Sequence, residues 1–139
     1  MRYLLDTHVL RELRRPKPDR KVVAWLQRNE PACAISDLMI GEFTKGAYFL
    51  AEGKRREALL TWIDEVEEQF EDKIIQLDRN AMKHWGELCG TSQREHGRRL
   101  QVFDSLIAAL ALANRLIVVT RNTGNFPNCV STFSPWEDI

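Results

Sequence analysis

Apolar residues in this chain follow two spacings. Short compact blocks, Tyr3-Leu4-Leu5, Ala32 to Ile35, Ile74 to Leu77 and Leu116 to Thr120, have the length and branched character of buried strands. Between them apolar positions recur at helical intervals. Val9, Leu10 and Leu13 form one such stripe, stopped by Pro16 and Pro18. Val22, Val23, Trp25 and Leu26 form a second, from Asp19 to near Pro31. Ser36 is placed to cap a third helix carrying Leu38, Met39, Phe43, Ala47 and Leu50, with Gly53 as its C-terminal stop. Leu59, Leu60, Ile63, Val66 and Phe70 predict a helix from Lys54 to Phe70. Asp78 then caps a helix from Ala81 to Arg94 that Gly97 breaks. Val102 to Ala113 is apolar almost all round and predicts a helix buried at the centre of the fold. Val130 to Phe133 supplies a last short strand.

Strands that alternate with helices predict an α/β fold whose central sheet of four or five strands is mainly parallel and covered on both faces. Every strand-to-helix turn then opens on one edge, the edge where ligands of such sheets sit. The 139 residues suffice for one domain, 1–139, with its own core. No internal repeat or linker divides them. The longest unbroken apolar run, Leu106 to Ala113, is far short of the roughly 18 residues that suggest a membrane span. Asp6 interrupts the N-terminus too early for a signal peptide, so a cytoplasmic location is expected. Cys33, Cys89 and Cys129 are odd in number and widely spaced, which argues against a disulfide framework and a zinc site.

On the open edge the sequence places oxygen-bearing side chains. Asp6 follows the first strand, Glu42 lies about two turns into the helix after the second, Asp104 starts the buried helix and Asn122 follows the fourth strand. A carboxylate amid apolar neighbours is costly unless paired, hydrated or bound to a cation. Carboxylates forced together repel, and a divalent cation removes that conflict. Each residue also has a plainer role available. Asp6 and Asp104 suit N-caps, Glu42 could pair with Lys45 along its helix, and Asn122 stands in a turn sequence, Asn-Thr-Gly-Asn. His8, His84 and His96 show no ligand or triad spacing and read as structural or solvated.

Other chemistries lack their signatures. There is no Gly-x-Ser-x-Gly elbow, no Gly-x-Gly-x-x-Gly fingerprint and no P-loop. A haloacid-dehalogenase-type phosphatase would need a second acid two positions after Asp6, where His8 stands. Lysine plus arginine equals aspartate plus glutamate, so any basic surface must be local.

Five stretches together carry a family resemblance: Tyr-Leu-Leu-Asp6-Thr-His-Val-Leu, Ile35-Ser36 with Gly41-Glu42-Phe43, Asp104-Ser-Leu-Ile-Ala-Ala, Thr120-Arg-Asn122-Thr-Gly-Asn-Phe and Ser134-Pro135-Trp136. The chain resembles, essentially end to end, a PIN-domain ribonuclease of the VapC type, the toxin of a type II toxin–antitoxin pair, within the FitB-like and plasmid-stability group. The resemblance implies a three-layer α/β/α PIN-like domain, Mg²⁺ or Mn²⁺ at the acidic cluster, and endonucleolytic hydrolysis of RNA to a 5′-phosphate and a free 3′ hydroxyl. It puts Asp6, Glu42 and Asp104 on the principal acidic, metal-holding positions. Asp6 and Asp104 are expected as direct ligands, with Glu42 completing the shell through water or orienting the attacking water. The family's fourth acid falls at Asn122 or at Asn125, both amides here; as the fourth catalytic position Asn122 can still hold a water or weakly ligate Mg²⁺, but an amide brings no charge, so a second metal would be bound less firmly. Arg98, Arg99 and Arg121 flank the expected cleft as phosphate contacts, extended by Arg11, Arg14, Arg15 and Lys17. The implied partners are the RNA substrate, a small cognate antitoxin with a DNA-binding end, and a second copy in a homodimer, with Ala47 to Leu60 as the analogous interface. Two other readings remain: a catalytically weakened PIN module kept for an antitoxin and DNA-binding complex, and a nuclease of single-stranded DNA.

Overall fold

The computed structural model describes residues 1–137. Its strands are β1 (Tyr3–Leu5), β2 (Cys33–Ser36), β3 (Ile74–Ile75), β4 (Ile117–Val119) and β5 (Thr132–Phe133). Its helices are α1 (Thr7–Leu13), α2 (Arg20–Asn29), α3 (Asp37–Phe49), α4 (Lys54–Gln69), α5 (Arg79–His96) and α6 (Val102–Asn114). The strands form one sheet in the order β3-β2-β1-β4-β5, with every pairing parallel. The expected α/β architecture with a parallel central sheet is therefore what the chain adopts.

The two-residue period of the strands divides the core. Leu5, Ile35 and Val119 pack with Val9, Trp25, Met39, Phe43, Ile63 and Phe70, which come from α1 to α4 and the residue capping α4. Their neighbours Leu4, Ala34 and Val118 turn the other way, onto Ala81 and Leu88 of α5 and Ile107, Ala108 and Leu110 of α6. Helices thus cover both faces, which makes three layers. Ile107, Ala108, Ala109 and Leu110 are all fully buried, as their unbroken apolar run requires.

The caps explain where the elements begin. Ser36 Oγ accepts from the Met39 N–H at 3.4 Å, and Asp78 Oδ1 from the Ala81 N–H at 2.9 Å. Gly97 closes α5 at φ 60°, a left-handed conformation that favours glycine. Three boundary expectations need correction. Gly53 does not stop α3, which ends at Phe49; it caps the start of α4 instead, at φ 148°. Only Ile74 and Ile75 of the third apolar block pair as strand, because the Leu77 N–H turns to the Asp37 carboxylate at 3.2 Å. Asp104 does not cap α6: the helix starts earlier, at Val102, with Gln101 as the cap residue. Among the described residues no helix is long and apolar enough to cross a membrane.

Candidate active site

The site forms where β1 and β4 end side by side. Asp6 leaves β1 in extended conformation, and its N–H still donates to the Val119 carbonyl at 2.9 Å. Its side chain folds back over the start of α1. Oδ1 accepts from the Thr7 N–H at 2.7 Å and from Thr7 Oγ1 at 3.1 Å. Oδ2 accepts from Thr120 Oγ1 at 2.8 Å and meets His8 Nδ1 at 3.3 Å. Asp6 is thus both an N-cap and a buried acid at the sheet edge, only 2% exposed. Burial pushes its carboxyl up, but hydrogen bonds from His8, Thr120 and the Thr7 N–H outweigh burial and hold it below the usual carboxylate value.

Asp104, the third residue of α6, faces the same place. It is half-buried, and both burial and the Asp6 charge push its carboxyl above the usual value. His8 lies within the field of both acids. Its hydrogen bond to Asp6 is the main cause that raises the imidazole, and Asp104 adds to it. The two aspartates, almost a hundred positions apart in sequence, therefore form one electrostatic unit with an imidazole at its rim.

The other expected residues are placed less tightly. Glu42 lies on α3, half-buried, its carboxylate in no hydrogen bond or ion pair among the described residues. No three Asp, Glu, His or Cys side chains among the described residues converge into a ready-made cage. Asn122 is exposed at the turn after β4, where its N–H donates to Thr120 Oγ1 at 3.2 Å and its carbonyl accepts from the Asn125 N–H at 3.0 Å. Its turn role is visible in these bonds. Arg98 and Arg99 are exposed, and Arg98 donates to the Gly124 carbonyl at 3.4 Å, joining the loop before α6 to the loop after β4. The Arg121 guanidinium lies over the Trp136 ring, 5.5 Å from its centre.

Sequence reasoning missed Thr7, His8 and Thr120 as partners of Asp6. Thr7 and His8 were legible as neighbours of Asp6, but the Thr120 contact depends on β1 lying beside β4. A cavity of about 610 Å³ lies elsewhere, between α5, the end of α6 and the segment Pro127 to Cys129. None of Asp6, Glu42 and Asp104 lines it, so it is not the site of the acids.

The donor set suits a hard divalent cation. Mg²⁺ is commonly held by one or two carboxylates, with waters and substrate oxygens completing its shell. Asp6 and Asp104 offer two hard oxygen donors whose mutual repulsion a cation would relieve, the conflict already expressed in the raised Asp104 carboxyl.

Comparison with known proteins gives the family. The PIN domain matches residues 3–128, and the chain belongs to the PIN-domain family. It is 31% identical to the plasmid stability protein StbB of Pseudomonas syringae pv. tomato, over 96% of this chain and 98% of that protein. It is also 31% identical to the toxin FitB of Neisseria gonorrhoeae, over 97% and 99%. The VapC ribonuclease Y4jK of Sinorhizobium fredii is 28% identical over 96% and 97%. A solved structure of FitAB bound to an IR36 DNA fragment superposes with a TM-score of 0.90 at 29% identity, covering 99% of this chain and 97% of that one. Within the PIN family the chain accordingly falls in the VapC/FitB branch of toxin–antitoxin toxins.

Proposed function

We propose that this chain is a Mg²⁺- or Mn²⁺-dependent endoribonuclease, the toxin of a toxin–antitoxin pair, with Asp6 and Asp104 holding the cation. The observation that carries the proposal is the buried Asp6 carboxylate at the edge where β1 and β4 end, held there by Thr120, with the half-buried Asp104 of α6 near enough to feel its charge. The VapC ribonuclease Y4jK, similar over 97% of its length, supports RNA as the polymer.

A divalent cation bound there supplies a water of lowered pKa and a positive charge for the developing oxyanion. The chain's own residues supply the rest. Thr7 and Thr120 fix the plane of the Asp6 carboxylate, so that this ligand does not have to be ordered during turnover. Asp104 brings the second carboxylate from α6, and Glu42 orients the attacking water from α3. Arg98, Arg99 and Arg121 hold phosphates on either side of the cut. With amides at Asn122 and Asn125, one cation is the working number. Product release leaves a 5′-phosphate and a 3′ hydroxyl.

An antitoxin is the proposed partner, supported by the FitAB complex among the solved relatives. Tyr48 and Phe49, 61% and 89% exposed at the end of α3, supply apolar surface for a partner or for a second copy of the chain. The test is to incubate the purified chain, free of its partner, with RNA and single-stranded DNA of matched sequence, plus Mg²⁺ or Mn²⁺, with EDTA controls. RNA cleavage abolished by EDTA is the expected result. Cleavage of the DNA alone would transfer the proposal to that polymer. No cleavage from a folded chain would leave a binding module.

A further inference from the structure

An ionised carboxylate offers about four lone-pair positions, two on each oxygen. At Asp6 all four are engaged. Oδ1 accepts from the Thr7 N–H at 2.7 Å and from Thr7 Oγ1 at 3.1 Å, and Oδ2 accepts from Thr120 Oγ1 at 2.8 Å and contacts His8 Nδ1 at 3.3 Å. A cation that ligates Asp6 directly must therefore displace one of these donors.

The four are not equally displaceable. Thr7 and Thr120 are 4% and 0% exposed, and Thr120 also accepts the Asn122 N–H, which ties it to the turn after β4. The Thr7 N–H belongs to the first turn of α1 and cannot leave without unwinding it. His8 is different: its side chain is 38% exposed, its contact is the longest of the four, and no other hydrogen bond holds its ring among the described residues. Rotation about its side-chain bonds would free Oδ2 without moving the backbone.

We infer that His8 is the placeholder at the cation site: its imidazole occupies the fourth position on Asp6 in the resting protein and swings away when a divalent cation ligates that carboxylate. The inference rests on the proposed cation site and adds a residue to it. His8 is then a positioning residue that keeps Oδ2 satisfied and oriented between bound states, and it competes with the cation for one lone pair.

The competition can be read without any turnover. Mg²⁺ is diamagnetic, so it can be titrated into the isotopically labelled chain at one fixed pH while the His8 ring resonances, assigned by their loss in His8→Phe, are followed. The expected result is a saturable shift of the His8 ring signals that is absent in Asp6→Asn and follows the Mg²⁺ affinity measured by calorimetry. In the same assay His8→Ala and His8→Phe, which remove the donor, should bind Mn²⁺ several-fold more tightly than the parent. Cation binding that leaves the His8 signals unmoved would overturn this inference alone. Weaker Mn²⁺ binding by both His8 variants would make His8 a supporting ligand and overturn it as well. A folded parent chain that binds neither cation would sink the inference together with the proposed metal nuclease.

Discussion

Thr120 Oγ1 donates to Asp6 Oδ2 at 2.8 Å across 114 positions of sequence, and this bond locks the ends of β1 and β4 together beneath the acid pair. The bond is wholly buried, so neither partner can exchange it for water. Thr120→Val keeps the shape and removes the donor, leaving a buried carboxylate one bond short. The expected cost is about 1–3 kcal/mol in urea unfolding, with RNA cleavage reduced because Asp6 loses its fixed plane. Unchanged stability in this variant would show that the bond contributes little to holding the site.

The two aspartates should respond oppositely to neutralisation. Asp6→Asn replaces a carboxylate that four contacts satisfy with an amide that can accept on one atom only, and should destabilise the fold by about 1–3 kcal/mol. Asp104→Asn removes a charge that burial and Asp6 already disfavour, so stability should hold or rise while cleavage is lost. Paired unfolding and cleavage measurements on both variants check the contrast.

The pH dependence of stability follows from the same shifts. The Asp6 carboxyl is lowered from 3.8, so its contribution is present above 3.8 and is lost as pH falls through the lower folded value. Asp104 is raised from 3.8, so protonation favours the native state: its contribution is full below 3.8 and disappears as pH rises through the higher folded value. His8 is raised from 6.5, so the stability it adds is full below 6.5 and is lost as pH climbs through its folded value. Relative to His8→Phe, the parent should lose stability across that last interval, read as a falling unfolding midpoint. A constant difference between the two chains above and below it would contradict the His8–Asp6 pairing.

Much of this arrangement was legible in the sequence. Asp6 stood out because a strand ended on it, and Asp104 because an acid opened a long apolar helix. The cap role expected of Asp104 failed because α6 begins at Val102, where the apolar run itself begins, so that the acid is the third residue of the helix. What the sequence hid were contacts set by strand order. Periodicity shows that β1 and β4 exist, but not that they are neighbours, and only that adjacency brings Thr120 to Asp6. Glu12 was hidden for the same reason: a polar residue on a short helix gives no sign that Trp136, 124 positions later, will reach it.

Glu12 is 3% exposed and accepts from the Asp19 N–H at 3.0 Å, from Arg15 Nη1 at 3.2 Å and from Trp136 Nε1 at 3.4 Å. Burial pushes its carboxyl up, and these donors more than offset that, holding it below the usual value. Glu12→Ala strands the Asp19 and Trp136 donors and should cost about 2 kcal/mol, measured by urea unfolding. Because Arg121 rests on Trp136, the same variant should raise the KM for RNA more than it lowers kcat.

Seating of a cation by Asp6 and Asp104 together is the central claim about this site. Calorimetric titration of Mn²⁺ into the folded parent chain and into Asp104→Asn tests this most directly. Saturable binding by the parent and at least a tenfold weaker response from the variant, with the fold intact, is the expected result. Equal affinity in the two chains would contradict it, since the second carboxylate would then play no part in holding the metal.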